Sequence, residues 1–372
     1  MSTTKKIALF GGSFDPVHTD HLNIAKACYS DLGFEEVWLI PTYLNPFKSQ
    51  QNSSNSDRLA MLNLLIKDYD FLKINTHEID QPHASYTYHT VKYFLDLYDD
   101  QDVEFAFIMG SDQLDRFESW DQFDELIQMI KFKVFLRSDD YNHEVVDKYH
   151  LEVFNFNRLG LSSTDIRNLK HLDLQVPAIN DYTNYHLLYL SERLEAQMDN
   201  NRYLHCLNVG QMAHDLATHH HLDAKKALIA GTLHDVAKQW EKPKLQQYLA
   251  KWAPDLLTEP SQVWHSFVGG LHLKHDWIMG DEEIIQAVFN HTVGKQNMSL
   301  LDKIVFCADK ISSERNYDGV KEFRELCFKD LNQGFKTLLK NQYDQVVSKN
   351  QNHEVGERLA KTYQYYIKEG KN

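Results

Sequence analysis

Apolar and polar positions follow two alternating rhythms in the first half of the chain. Short apolar runs that suit buried strands occur at Ile7–Phe10, Val37–Ile40, Lys73–Thr76, Val103–Met109, Phe132–Leu136 and Val153–Phe156. Between them lie stretches with helical spacing: His21–Leu32, Asp57–Tyr69, Thr87–Tyr98 and Phe123–Ile130. Such alternation predicts an α/β domain with a mostly parallel sheet covered by helices. Sheets of this kind bind ligands at the C-terminal ends of their strands. From about Tyr189 onward the strand-like runs nearly vanish. Long helical patterns take over, as in Leu204–Thr218, Ala224–Leu233, Glu282–Phe289 and Leu300–Ala308. The second half therefore reads as all-α, and the expected domains are residues 1–190 and 191–372.

Composition agrees with two domains. At roughly 150 residues each, a chain of 372 residues can bury two cores. Lys plus Arg is 39 and Asp plus Glu is 53, a net charge of -14, which argues against a general nucleic-acid binder. A small basic site for a nucleotide remains compatible with that balance. The four cysteines are scattered and form no CxxC pair, as in a reducing compartment. No signal peptide or membrane span is visible. The expectation is a soluble, cytoplasmic protein without membrane partners; a homodimer is the assembly to test for.

Candidate chemistry begins where the first strand ends. Ile7–Phe10 runs into Gly11-Gly12-Ser13-Phe14-Asp15-Pro16-Val17-His18-Thr19-Asp20-His21. Two glycines after a first strand let backbone approach a phosphate closely. His18 and His21 fall at the start of the next helix, where free N–H groups and the positive dipole end suit an anion. Both imidazoles can face one site, bind a triphosphate and stabilise charge in phosphoryl transfer. A second run is Leu161-Ser162-Ser163-Thr164-Asp165-Ile166-Arg167. Ser163 or Thr164 can cap a helix there. Arg167, one turn in, carries a fork suited to phosphate oxygens. Alone, either run also fits a plain turn or cap with surface side chains.

Together the two runs resemble the (H/T)xGH and ISSTxIR signatures of the nucleotidylyltransferase superfamily, in the same order. Ile40-Pro41-Thr42-Tyr43-Leu44-Asn45-Pro46-Phe47-Lys48, Ser85-Tyr86-Thr87, Gly110-Ser111-Asp112 and Trp120 narrow the match. Over about residues 5–190 the chain is similar to bacterial nicotinate-nucleotide adenylyltransferases. That resemblance implies a Rossmann-like domain making nicotinate adenine dinucleotide and pyrophosphate from ATP and nicotinate mononucleotide. The mononucleotide phosphate would attack the α-phosphorus in line, with the protein positioning and stabilising charge. Gly11, Gly12, Ser13, Phe14, His18 and His21 would hold ATP, and Ser163, Thr164 and Arg167 its phosphates. Lys48 and Arg137 would add positive charge, and Asp112 would contact a nucleotide. Tyr86, Thr87 and Trp120 would form the nicotinate pocket, with Trp120 stacked on the ring. His18, His21, Lys48 and Arg167 form the implied catalytic set. Mg²⁺ would accompany ATP, held largely by phosphates and water.

Two positions depart from the family pattern. Asp20 stands where the signature has glycine, so a carboxylate near the phosphates would either weaken ATP binding or turn to solvent. Phe47 stands where many relatives have histidine before the lysine.

The second half carries a different constellation. His205 follows Arg202 on a helix, and His234-Asp235 is followed one turn later by Lys238 on the same face. His265 lies near the start of a helix, His291 ends Glu282–Phe289, and Asp309 ends the run Ser299–Ala308. Four imidazoles and two carboxylates suffice for two metal ions, and an aspartate beside a histidine can bridge them. Mixed N/O donors suit Fe, Mn, Zn or Co without selecting among them. Any one of these histidines would read as surface or packed, but the ordered set points to a metal site. His219-His220-His221 reads as a solvated helix end, and His272 and His275 as non-ligands.

This order resembles the HD-domain phosphohydrolases. His291-Thr292-Val293-Gly294, Met298-Ser299-Leu300-Leu301-Asp302-Lys303, Ala308-Asp309-Lys310 and Arg315 are similar to bacterial HD proteins that split diadenosine tetraphosphate into two ADP. The resemblance runs from about residue 191 to 330. It implies His205, His234, Asp235, His265, His291 and Asp309 as ligands of two ions, iron foremost, with Asp235 central to catalysis. Arg202, Lys238 and Arg315 would bind polyphosphate. A dinuclear site activates water near neutral pH and stabilises the oxygens of the displacement. Other HD roles stay open at this point: hydrolysis of guanosine tetraphosphate or a deoxynucleotide, or a nucleotide-sensing regulatory module.

Overall fold

The computed structural model describes residues 4–44, 50–84, 86–195, 197–349 and 355–371. Lys48, Phe47 and the rest of Asn45–Lys48, as well as Ser85, lie outside the described residues. The chain divides into two compact units, residues 1–183 and 184–372.

The first unit contains β1 (Lys5–Gly12), α1 (Thr19–Ser30), β2 (Glu36–Pro41), α2 (Asn55–Ile66), β3 (Leu72–Ile74), α3 (Thr87–Leu97), β4 (Val103–Gly110), α4 (Phe123–Met129), β5 (Lys131–Phe135), α5 (His143–Lys148), β6 (Glu152–Phe154), α6 (Ser163–Arg167) and all but the last two residues of α7 (Pro177–Tyr185). The strands form one parallel sheet in the order β3-β2-β1-β4-β5-β6. Ile7, Ala8, Leu9 and Phe10 are all buried, the unbroken apolar run expected of a central strand covered on both faces. The order reverses direction between β1 and β4, which opens a crevice beyond their C-terminal ends. β3 and β6 stop two residues short of the ends expected from the apolar runs. Both are edge strands, with a single neighbour to extend the ladder.

The second unit is helical: α8 (Leu190–Leu194), α9 (Asn200–His219), α10 (Ala224–Leu233), α11 (Lys242–Trp252), α12 (Trp264–His275), α13 (Glu282–Asn290), α14 (Leu300–Ile311), α15 (Val320–Lys329), α16 (Leu331–Lys349) and α17 (Glu357–Tyr363). Side chains start several of these helices. Asp199 accepts from the Arg202 N–H, and Ser299 exchanges hydrogen bonds with Asp302 in a capping box, each cap stabilising its helix by about 1 kcal/mol. α14 continues through Asp309 to Ile311, so Asp309 lies inside the helix rather than at its end.

Glycines bring the helices close where the candidate donors lie. A Cβ on Gly231 of α10 would sit 2.9 Å from Gly210 Cα of α9. A Cβ on Gly270 of α12 would sit 2.7 Å from Phe289 Cβ of α13. Only glycine permits these two crossings, and each lies within two turns of a histidine on both helices. No described helix is long and apolar enough to cross a membrane.

Candidate functional site

In the first unit, a cavity of about 560 Å³ opens at the crevice between β1 and β4. Gly11, Gly12, Ser13, Phe14, His21, Tyr86, Thr87, Asp112, Trp120, Arg137 and Ser163 all line it. The volume and the mixed polar and aromatic lining suit a nucleotide-sized ligand. His18 is the N-cap of α1, and its ring centroid lies 3.7 Å from that of His21. The His18 backbone N–H donates to His21 Nδ1 at 3.1 Å. With Nδ1 accepting, the neutral His21 ring carries its proton on Nε2. Burial, and then nearby Arg137, hold His18 down to about 3. Burial, then His18, hold His21 well below its ordinary value. Both rings are therefore neutral, and buried His18 Nδ1 has no hydrogen-bond partner among the described residues. A buried orphan of this kind is unfavourable without a ligand.

The two motifs of the sequence meet here. Ser163 Oγ donates to Pro16 O at 2.9 Å, and Arg167 Nη1 donates to Asp15 O at 2.8 Å. His18, Thr164 and Arg167 are not among the residues that line the cavity. The cap of α6 is Ser162, which accepts from the Asp165 N–H, rather than Ser163 or Thr164. Ser162 holds the extended φ/ψ a cap requires, which leaves the Ser163 hydroxyl for Pro16. Asp112 and Arg137 pair at 2.8 Å, so each is already charge-compensated. Trp120 packs edge-on against Phe107 and Phe117, and its buried Nε1 also has no hydrogen-bond partner among the described residues. Asp20 neither turns to solvent nor faces the cavity. It is buried, and both of its oxygens accept backbone N–H groups.

In the second unit, α9, α10, α12, α13 and α14 converge on a buried cluster. His205, His234 and Asp235 form one group of donors, and Asp235, His265 and His291 another, each within 4.8 Å. Asp235 belongs to both. Its Oδ2 lies 3.4 Å from His234 Nε2 and 3.9 Å from His205 Nε2. Its Oδ1 lies 3.4 Å from His291 Nε2 and 3.5 Å from His265 Nε2. Asp309 Oδ1 joins the first group, 3.3 Å from His205 Nε2 and 3.7 Å from His234 Nε2.

The imidazoles are oriented from behind. His234, His265 and His291 each donate through Nδ1 to the carbonyl three residues earlier: Gly231, Gln262 and Val288. His205 Nδ1 instead pairs with Glu314 at 2.5 Å. With all four Nδ1 atoms engaged, all four Nε2 lone pairs can point to the centre, as metal ligation requires. His234 Nε2 is fully buried without a hydrogen bond among the described residues, so the donor set fits a cation. Burial, then neighbouring His291, hold His265 down to about 3, which keeps it neutral for ligation. Burial also pulls on His234, but Asp235 and Asp309 outweigh it and raise that ring.

Three basic side chains meet the same donors. Arg202 donates to Asp235 Oδ2 and Arg315 to Asp309 Oδ1, both at 2.7 Å, and Lys238 Nζ lies 3.1 Å from His265 Nε2. A cavity of about 430 Å³ reaches the cluster past Arg202, His205, Glu314 and Arg315.

Known proteins share this two-part plan. Residues 9–169 match the cytidylyltransferase-like family, and residues 202–314 match the HD domain. A Mycoplasma genitalium protein described as a probable nicotinate-nucleotide adenylyltransferase/Ap4A hydrolase is 34% identical over 316 residues, 84% of this chain and 89% of its own. The chain belongs to this fused adenylyltransferase/Ap4A hydrolase family. A Mycoplasma pneumoniae relative with the same description is 32% identical over 344 residues, covering 89% of this chain and 97% of its own. The symmetrical bis(5'-nucleosyl)-tetraphosphatase of Bacillus subtilis is 36% identical over 160 residues, 42% of this chain and 86% of its own.

Membership in the fused family implies divalent metal in the HD domain, and the buried donors provide for it. Sequence reasoning missed Glu314, because its contact with His205 spans 109 residues and no local spacing marks it. His272, read from the sequence as a non-ligand, is buried and bonded to Asp276 and Trp277 rather than to the cluster. His220, expected in solvent, is half-buried and donates to Cys327 O. Glu314 carries its own prediction. Glu314→Gln should weaken metal retention about 10- to 100-fold, measured by chelator competition. Unchanged retention would remove Glu314 from the orienting set.

Proposed function

We propose that this chain is a bifunctional enzyme. The first activity joins ATP and nicotinate mononucleotide into nicotinate adenine dinucleotide, releasing pyrophosphate, with Mg²⁺ accompanying ATP. The second is metal-dependent symmetrical hydrolysis of diadenosine tetraphosphate to two ADP. The observation that carries this reading is that each unit closes its own donor set around its own cavity.

At the first site, Gly11, Gly12, Ser13 and Phe14 would receive the nucleotide. His18, His21, Ser163, Thr164 and Arg167 would hold its phosphates, with Lys48 and Arg137 adding charge. Trp120, Tyr86 and Thr87 would enclose the nicotinate ring. The groups position two phosphates in line and meet the charge that develops, without a covalent intermediate. At the second site, His205, His234, Asp235 and Asp309 would hold one ion, and Asp235, His265 and His291 the other, with iron as the favoured metal. Bound divalent ions supply Lewis-acid charge neutralisation and activated water. Arg202 and Arg315 would release the carboxylates to metal, Lys238 would release His265, and all three would turn to the polyphosphate.

The test uses the purified full chain. With ATP, nicotinate mononucleotide and Mg²⁺, the dinucleotide and pyrophosphate should appear in equal amounts. With diadenosine tetraphosphate and iron, manganese or cobalt, ADP should be the sole nucleotide product. Formation of AMP and ATP would overturn the symmetrical assignment. No turnover with any of these metals would shift the HD domain to another nucleotide or to sensing.

A further inference from the structure

The departure at residue 20 joins two motifs that lie far apart in the chain. Asp20 occupies the first turn of α1, between Thr19 and His21. Its side chain is buried. Its Oδ1 accepts from the Leu159 N–H and its Oδ2 from the Leu161 N–H, both at 2.9 Å. These donors belong to the irregular segment 155–162, which connects β6 to α6. Gly160 stands between them with φ 77°, a backbone state that favours glycine. The segment has one further tie to α1, from Asn23 Nδ2 to Asn157 O at 2.8 Å. Immediately after it come Ser163, Thr164 and Arg167.

A carboxylate that receives two peptide N–H groups makes strong, directional contacts. Both oxygens are committed to backbone N–H groups, whose dipoles offset part of the charge, and the side chain does not line the cavity. It fixes the approach of the 155–162 segment to the start of α1 instead. We propose that Asp20 is a positioning residue of the adenylyl-transfer site, setting where Ser163, Thr164 and Arg167 meet the triphosphate relative to His18 and His21. This rests on the adenylyltransferase reading given above.

Asp20→Asn and Asp20→Gly in the full chain test it. Asparagine keeps the volume but sets its NH₂ against one of the two backbone N–H groups, and glycine supplies the residue of the family signature without the tether. Calorimetric affinity for Mg·ATP should fall about tenfold in both, and the KM for ATP should rise in step. The KM for nicotinate mononucleotide and the hydrolysis of diadenosine tetraphosphate by the same protein should stay within about twofold. Variants that bind ATP as the wild type does would overturn the proposal, as would equal losses for ATP and nicotinate mononucleotide. Wild-type protein that binds ATP but transfers no adenylate would overturn the functional reading and leave the affinity comparison to decide this one.

Discussion

Asp235→Ala is expected to abolish hydrolysis of diadenosine tetraphosphate, a loss on the order of 10⁴-fold or more. The reason is geometric. Each oxygen of this carboxylate serves a different pair of imidazoles, Oδ1 facing His265 and His291 and Oδ2 facing His205 and His234. Removing it takes one donor from both proposed ions and leaves Arg202 without its acceptor. Metal content by elemental analysis should collapse along with activity. Asp235→Asn keeps a single oxygen and should retain one ion better than the other. Adenylyl transfer should continue unchanged in both proteins, which separates site loss from unfolding. Full metal content in the alanine variant would show that Asp235 does not bridge.

His21→Ala should lower adenylyl transfer by about 10²- to 10³-fold, the usual cost of losing a donor aimed at developing charge. His21 lines the cavity, and its Nδ1 is occupied by the His18 N–H. On the proposed reading its Nε2–H would be the group offered to a phosphate. Burial holds the ring well below the ordinary histidine range and so neutral, and it would act by donating a hydrogen bond and not as a cation. The transfer rate of the wild type should accordingly show no titration of this ring between pH 6 and pH 8. The loss should appear in kcat as well as in KM for ATP. A change in KM alone would assign His21 to ground-state binding.

Much of this architecture was legible from residue pattern. Central strands such as Ile7–Phe10 are apolar without interruption because both faces are covered, and that signal survives without tertiary knowledge. The edge strands β3 and β6 ended earlier than their apolar runs, because such runs report burial and not ladder pairing. The meeting of His205, His234, Asp235, His265, His291 and Asp309 was legible as a set because rare donors recur on successive helices; what they bind is the proposal made above. The rest depended on tertiary partners. In Ser162-Ser163-Thr164 every residue has the hydroxyl of a cap, and only backbone angles select Ser162. Asp20 could not be interpreted from its own neighbours, because its partners are peptide N–H groups some 140 positions away and carry no side-chain signature.

The way the four imidazoles are held has an evolutionary side. His234, His265 and His291 are aimed by main-chain carbonyls three residues earlier in the chain, and every amino acid carries such a carbonyl. Substitutions at Gln262 or Val288 leave those acceptors in place as long as the helices keep their path, whereas Gly231 is held by the close crossing of α9 and α10. His205 alone depends on a side chain, Glu314, that a single codon change can remove or alter. Variation in metal preference among descendants of this sequence should therefore accumulate at position 314 while the other three orienting contacts persist through drift.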